Sequence, residues 1–215
     1  PYIWSVVAGS LPVGLGLNAA TGVISGTPNS AGTSNFTVRV TDANNATVDR
    51  ALVLTVTNAP PAILSLIIST DNANEVYLNG VLLGTGNDWT KSSNYSAALQ
   101  SGTNVLAVKG IDAGGVAGLI AELSWPDASA VSDATWKVTT NAPLGWEAVG
   151  FNDGAWPAAT SYGQYGVAPW FKNVSGFPIN SSAKWIWTAD SNNDHTVYLR
   201  YTFTVGNLPL AISTS

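Results

Sequence analysis

The 215-residue sequence contains no cysteine, no methionine and only one histidine. Without cysteine the chain forms no disulfide, offers no thiolate nucleophile and has no Cys-type zinc or iron–sulfur site. One histidine is also too few for the usual zinc sites. The fold therefore rests on an uncrosslinked core, for which a chain of this length is sufficient.

Charge is also scarce, because charged residues make up 10% of the chain where about 25% is average. The 8 basic residues are spread along a chain of net charge −5 and cannot form the basic surface that nucleic acid requires. No apolar run approaches the roughly 20 residues of a membrane span. We therefore expect no nucleic-acid partner and no membrane insertion.

The motifs of common enzymes are missing as well. The chain has neither a Gly-x-Ser-x-Gly elbow nor a Gly-Lys-Ser/Thr phosphate loop. Its glutamates, Glu75, Glu122 and Glu147, stand in no motif that pairs two carboxylates for glycoside hydrolysis. His195 lies in an Asx-rich turn. The sequence therefore predicts a protein that is not an enzyme and requires no cofactor.

Short alternating runs separated by Gly, Asn, Asp and Pro fill the sequence, and this pattern is typical of all-β sandwiches. We expect a first domain at residues 1–58, a stiff linker at 59–62 and a second domain at 63–205. Residues 206–215 form a tail. The chain starts at Pro1, so we expect a processed product or a segment of a longer protein.

The first block carries a specific set of motifs. They are Tyr2-Ile3-Trp4-Ser5-Val6, Leu17-Asn18-Ala19-Ala20-Thr21-Gly22-Val23-Ile24-Ser25-Gly26-Thr27-Pro28 and Val38-Arg39-Val40-Thr41-Asp42. On these residues the block resembles the cadherin-like or immunoglobulin-like repeat of bacterial surface proteins. Such repeats begin with further strands, so the resemblance implies an Ig-like sandwich that lacks its opening strands.

The tail resembles the first strand of a further repeat of the same kind. One interpretation is a cut from a tandem array with its boundaries out of register. The other is that the tail adds a strand to the Ig-like block of a neighbouring subunit. In a third arrangement the tail completes the Ig-like block of its own chain. Strand addition would use Leu208, Leu210 and Ile212 as assembly residues.

The second block carries its own set of motifs. They are Glu75-Val76-Tyr77-Leu78-Asn79-Gly80, Asn104-Val105-Leu106-Ala107-Val108, Phe151-Asn152-Asp153-Gly154-Ala155-Trp156 and Val197-Tyr198-Leu199-Arg200-Tyr201. On these residues the block resembles the galactose-binding-like jelly roll of secreted glycosidases and carbohydrate-binding modules. The last two segments usually precede the Asn-Gly hairpin, whereas here they follow it. A circularly permuted jelly roll or two incomplete halves of neighbouring domains would explain this order.

Loop aromatics and amides provide candidate carbohydrate contacts, because aromatic rings stack on sugar C–H faces while Asn and Asp bind hydroxyls. The candidate carbohydrate-binding residues are Asn87, Asp88, Trp89, Asn94, Tyr95, Tyr162, Tyr165 and Trp170. For Trp89 and Trp170 a core position is an equal alternative. Exposed aromatics would also fit a contact with another subunit.

Asp71, Asn74 and Glu75 offer the hard oxygen ligands that Ca²⁺ prefers, and related jelly rolls carry a structural calcium ion. Asx-rich turns without metal are the alternative interpretation. A structural calcium site is therefore a hypothesis for this segment.

These observations favour a non-catalytic, extracellular or cell-surface β-module that is adhesive or binds carbohydrate. One alternative is a structural subunit of an extracellular fibre or surface array, assembled through the tail. A second alternative is an accessory module of a secreted glycosidase. The expected partners are copies of the chain itself or adjacent repeats, and polysaccharide.

Overall fold

The computed structural model describes residues 1–126, 128–206 and 210–214. All regular structure in these ranges is β-strand, as the alternating pattern predicts. The strands are β1 (Ile3–Gly9), β2 (Leu15–Leu17), β3 (Ile24–Gly26), β4 (Gly32–Thr41), β5 (Thr47–Asn58), β6 (Ile63–Asp71), β7 (Ala73–Leu78), β8 (Val81–Gly86), β9 (Ser93–Ala98), β10 (Gly102–Ile111), β11 (Gly118–Trp125), β12 (Ala128–Val131), β13 (Lys137–Thr139), β14 (Thr160–Gln164), β15 (Lys184–Trp187), β16 (Thr196–Val205) and β17 (Leu210–Thr214).

The chain divides into two compact units. The Ig-like unit contains Pro1–Pro60 together with β17, and the sandwich unit contains residues 61–206. The all-β fold class with an Ig-like domain followed by a β-sandwich is therefore confirmed.

The Ig-like unit contains one antiparallel sheet of order β1-β4-β5-β17 and the small hairpin β2-β3. The turn between β4 and β5 forms because Asp42 Oδ1 accepts the N–H groups of Asn44 and Ala46. Asn45 in this turn has a φ of 65°, which Asn tolerates better than most residues. Apolar side chains on one face of the sheet form the core of the unit. They are Phe36, Val38 and Leu54, with Leu15, Leu17 and Ile24 of the hairpin packed against them.

The tail pairs with the Ig-like sheet of its own chain. Strand β17 runs antiparallel to β5, with Leu210 opposite Asn58 and Ile212 opposite Val56. Of the three residues predicted for assembly, Leu210 and Ile212 thus lie in an intrachain strand, while Leu208 lies outside the described residues. The pairing that the structure shows is closure of the chain's own block.

The sandwich unit contains two antiparallel sheets. The β10 sheet has the order β13-β16-β10-β7-β8, and the β11 sheet has the order β14-β15-β11-β6-β9 with β12 also paired to β11. The hairpin predicted at Asn79-Gly80 is confirmed, with positive φ at both residues and Leu78 opposite Val81. Strand β10 pairs with β16 over its full length. Strands before and after the loop-rich segment therefore belong to one sandwich.

Aromatic segments cover parts of both outer sheet faces. On the β11 sheet, residues of the segment 165–177 pack with Ile120 and Trp185. On the β10 sheet, Trp146 packs with Val105 and Ala107. These coverings bury Trp146, Trp170 and Trp185.

Candidate functional site

One end of the sandwich unit brings together two carboxylates from different sheets. Asp71 is the last residue of β6, and Asp112 directly follows β10. The N–H of Asn72 donates to the carbonyl of Ile111 over 2.8 Å, and the N–H of Ala113 donates to Asn72 Oδ1 over 2.6 Å. These two hydrogen bonds hold the chain after β6 beside the chain after β10. We call Asp71, Asn72, Ile111, Asp112 and Ala113 the loop end.

The two carboxylates of the loop end differ in their partners. The Asp112 side chain is 1% exposed, and its Oδ2 lies 2.7 Å from His195 Nδ1. Its Oδ1 is buried and has no hydrogen-bond partner among the described residues. Asp71 Oδ2 accepts the indole N–H of Trp170 over 2.9 Å. The loop end therefore holds a buried acceptor atom without a protein donor, which is costly unless a bound water or a ligand donates to it.

Burial and charge both act on Asp71. Desolvation raises the pKa of Asp71, the hydrogen bond from Trp170 opposes this rise, and the nearby charge of Asp112 raises the pKa further. Ionised Asp71 is thus less favourable in the folded chain than in water. A group that donates hydrogen bonds or carries positive charge would relieve this cost.

Aromatic residues flank the loop end. The Trp170 ring is buried and stacks on Trp185 at 4.5 Å between ring centroids. Trp89 is partly buried against the same cluster, and its carbonyl accepts the hydroxyl of Ser69, two residues before Asp71. Phe171 is 54% exposed. Trp89 and Phe171, which directly follows Trp170 in the sequence, therefore keep accessible aromatic surface.

The structure separates the predicted carbohydrate-binding residues into groups with different surroundings. Trp170 and Tyr165 are 1% and 5% exposed, so their ring faces are closed to a sugar. The Tyr162 hydroxyl is partly buried and donates to the carbonyl of Thr188. These three rings are needed to cover the β11 sheet, and this accounts for their burial.

The remaining predicted residues lie at the surface or in strand β9. Asn87 and Asp88 are exposed, and the Asp88 carboxylate forms an ion pair with Lys91 over 2.9 Å. Asn94 and Tyr95 are neighbours in β9, so their side chains lie on opposite faces of the sheet. Only Trp89 and Trp170 of the predicted set approach the loop end.

The structure does not bring together the three predicted calcium ligands. Asn74 and Glu75 are consecutive in β7 and lie on opposite faces of the strand. The Glu75 carboxylate accepts from Lys109 over 2.8 Å and from the Tyr77 hydroxyl over 2.7 Å. Asp71 is the one member of that set at the loop end.

Two findings concern the described residues as a whole. No three His, Cys, Asp or Glu side chains in the described ranges cluster closely enough to hold a metal ion together. No helix in that part of the chain is long and apolar enough to cross a bilayer.

Sequence reasoning missed the role of Asp112, because a single Asp after a strand carries no motif. It also missed a buried ion pair on the other sheet, where Arg200 Nε donates to Asp153 Oδ2 over 2.9 Å. Asp153 and Arg200 both lie in segments that carry the jelly-roll resemblance. The structure shows that this pair anchors the covering segment at Trp146–Phe151 to the β10 sheet.

Residues 1–57 match the model of the family described as Putative Ig domain. No curated protein matches the sequence.

Solved structures resemble the chain over larger parts. A lectin from Pleurotus ostreatus in complex with GalNAc is 28% identical with a TM-score of 0.50, over 56% of this chain and 39% of the lectin chain. The apo form of Pleurotus ostreatus lectin is 17% identical with a TM-score of 0.50, over 70% of this chain and 69% of that chain.

An α-L-rhamnosidase from Streptomyces avermitilis, complexed with L-rhamnose, is 16% identical with a TM-score of 0.50. This match covers 99% of the present chain and 35% of the rhamnosidase. At these identities the apo lectin and the rhamnosidase show the fold alone. The chain is thus a β-module with lectin-like structural similarity, and it spans about 39% of the GalNAc-bound lectin.

Proposed function

We propose that the sandwich unit is a non-catalytic carbohydrate-binding module of an extracellular or cell-surface protein, with the Ig-like unit as a spacer. The observation that carries the proposal is the 28% identity to a lectin that was crystallised with GalNAc. The loop end supplies a site of matching chemistry. Sugar hydroxyls would donate to Asp71, with the buried Asp112 carboxylate behind it, and a sugar C–H face would lie against Trp89 or Phe171.

Trp170 acts as a positioning residue in this proposal. Its N–H fixes Asp71 Oδ2, which leaves Oδ1 free to accept from a ligand. His195 holds Asp112 in the same way through Oδ2. Each carboxylate therefore has one oxygen engaged by the protein.

The Ca²⁺ ion that the jelly-roll resemblance implies fits the loop end better than the predicted ligand set. Asp71 and Asp112 would hold it, since Asp112 Oδ1 has no hydrogen-bond partner among the described residues and the two carboxylates lie close enough for the charge of Asp112 to raise the pKa of Asp71, after the larger effect of burial. When bound, such an ion would neutralise the carboxylates and coordinate hydroxyl oxygens. Tightly held water at Asp112 is the competing explanation for the unpartnered atom.

A glycan array tests the proposal, run with the full chain in Ca²⁺ and again in EDTA. We expect binding that falls at least about tenfold in Asp71→Asn, because a hydrogen bond to a charged acceptor is lost. Trp89→Ala should weaken binding similarly. Asp49→Asn is the matched control, because its carboxylate is exposed, pairs with Arg39 and belongs to the Ig-like unit. Wild-type protein that binds no glycan under either condition would contradict the proposal.

Assembly into a fibre or surface array is a second candidate function. In its favour, β17 comes from the far end of the chain and forms one edge of the Ig-like sheet. The same register formed with a neighbouring chain would link subunits without any new contact. Light scattering of the purified chain over a range of concentrations tests this, and a constant monomer mass would contradict it.

A further inference from the structure

A cleft of about 230 Å³ opens on the outer face of the β11 sheet, away from the loop end. Its lining residues are Ser65, Ile67, Glu122, Leu123, Ser124, Ser129, Ala130, Val131 and Ser182. Ser65 and Asp71 are six residues apart in β6, which places them roughly 20 Å apart along the strand. The cleft is therefore a separate feature from the loop end.

A row of four serines crosses the floor of this face. Ser124 in β11 lies opposite Ser65 in β6 and opposite Ser129 in β12, and Ser65 lies opposite Ser96 in β9. Adjacent strands are about 4.8 Å apart, so the row spans roughly 14 Å. We call these residues the serine row. Serine is not a strong strand former, so four aligned serines are unusual for stabilising a sheet.

The small serine side chains produce the depression. The next row of the sheet on the same face contains larger residues, with Glu122 opposite Ile67 and Val131. Ser182 lines another part of the cleft. The result is a trough with a polar floor, bordered along one side by Ile67, Glu122 and Val131.

Glu122 gives the trough its charge. The side chain is half-buried, and no described residue donates a hydrogen bond to its carboxylate or forms an ion pair with it. The lining contains no basic residue, which disfavours an anionic ligand. One carboxylate with several hydroxyls matches a neutral ligand that carries many hydroxyl groups, because each serine can both donate and accept.

We propose that this cleft is a second saccharide site, which takes an extended neutral oligosaccharide across the serine row. Ligand hydroxyls donate to Glu122 and exchange hydrogen bonds with the serines, while Ile67 and Val131 contact sugar C–H groups. The row is longer than one pyranose ring, so the site is specific for chains rather than single sugars. This site does not depend on binding at the loop end.

The test is a titration of the ¹⁵N-labelled full chain with cellohexaose, xylohexaose and mannohexaose, followed by amide chemical shifts. N-acetylgalactosamine, titrated separately, reports on the loop end. We expect at least one hexasaccharide to shift the amides of Ser65, Glu122 and Ser124.

Three variants make the test specific. Glu122→Gln should weaken hexasaccharide binding about tenfold, through loss of a charged acceptor. Ser124→Val should abolish it by filling the trough, and valine favours the strand, so the variant is expected to fold. Glu147→Gln lies on the segment that covers the other sheet and should leave binding unchanged.

The outcomes separate this inference from the proposed function. Shifts at the serine row that Ser124→Val removes would support the inference, whether or not the loop end also responds. Shifts confined to the loop end would overturn the inference and leave the proposed function standing. Saturating hexasaccharides that shift no amide at the serine row would also overturn it, and no response anywhere would count against both.

Discussion

Arg200 is the residue whose replacement we expect to destabilise the sandwich unit most specifically. Its side chain is 1% exposed, its Nε donates to Asp153, and its Nη1 donates to the carbonyls of Trp146 and Ala148. The guanidinium also lies 5.1 Å from the ring centroid of Phe151. One side chain thus fixes several points of the segment that covers the β10 sheet.

The magnitude follows from what each variant leaves unpaired. Arg200→Met removes every donor and leaves buried carbonyls without partners, and loss of one side of a buried pair costs about 3–5 kcal/mol. Arg200→Lys keeps the charge but loses the planar fork, so we expect about 1.5–3 kcal/mol. Asp153→Asn should cost about 1–2 kcal/mol, because its side chain is 23% exposed and the amide oxygen still accepts.

Differential scanning calorimetry measures these changes. For a unit of this size about 1 kcal/mol corresponds to a shift of about 2–4 °C, so Arg200→Met should lower the transition by about 6–20 °C. The transition of the Ig-like unit should not move. A loss below about 1 kcal/mol in Arg200→Met, or an equal loss in Asp153→Asn, would refute the assignment of Arg200 as the anchor.

Three further predictions concern other parts of the chain. Gly118→Ala should cost about 1–3 kcal/mol by calorimetry, because its Cβ would lie 2.7 Å from the Trp170 ring. The pair Thr57→Cys and Ala211→Cys, opposite each other in the β5–β17 register, should form a disulfide within one chain, so a dimer on a non-reducing gel would instead indicate strand exchange. The pKa of Asp71 is raised in the folded chain, so in Ca²⁺-free buffer the wild type should lose stability as the pH rises through that pKa. Asp71→Asn carries no charge there and should therefore unfold at a higher temperature than the wild type at pH 7. Identical pH profiles of the unfolding temperature for the two proteins would contradict this.

The fold class could be predicted because local patterns decide it. Alternation in the strands, the Asn79-Gly80 turn and the Asx turn at Asp42 each act over a few residues, and each is found in the structure. The partner of the tail could not be predicted in the same way. The tail resembles an opening strand, so it can pair with the edge of the Ig-like sheet in its own chain or in a neighbouring chain. The sequence indicates which sheet edge the tail fits, but it does not indicate which of the two chains provides that edge.

The site was harder to predict because it depends on contacts between distant residues. Asp71 and Trp170 are 99 positions apart and meet through one hydrogen bond. Asn74 and Glu75 are close in sequence, yet strand alternation separates their side chains. Proximity in sequence therefore did not show which of these side chains lie together, and the unpartnered acceptor on Asp112 became visible only in three dimensions.

The burial of Trp170, for which a core position was an equal alternative in the sequence, has a physical reason. A chain with 10% charged residues has few side chains with which to solvate the outer faces of two sheets. This chain instead covers parts of those faces with aromatic segments, and Trp170 and Trp185 are fully buried in one of these coverings. The aromatic residues are mostly used for folding. Where the covering is absent, the β11 sheet stays open, and the cleft of about 230 Å³ at the serine row lies in such a place.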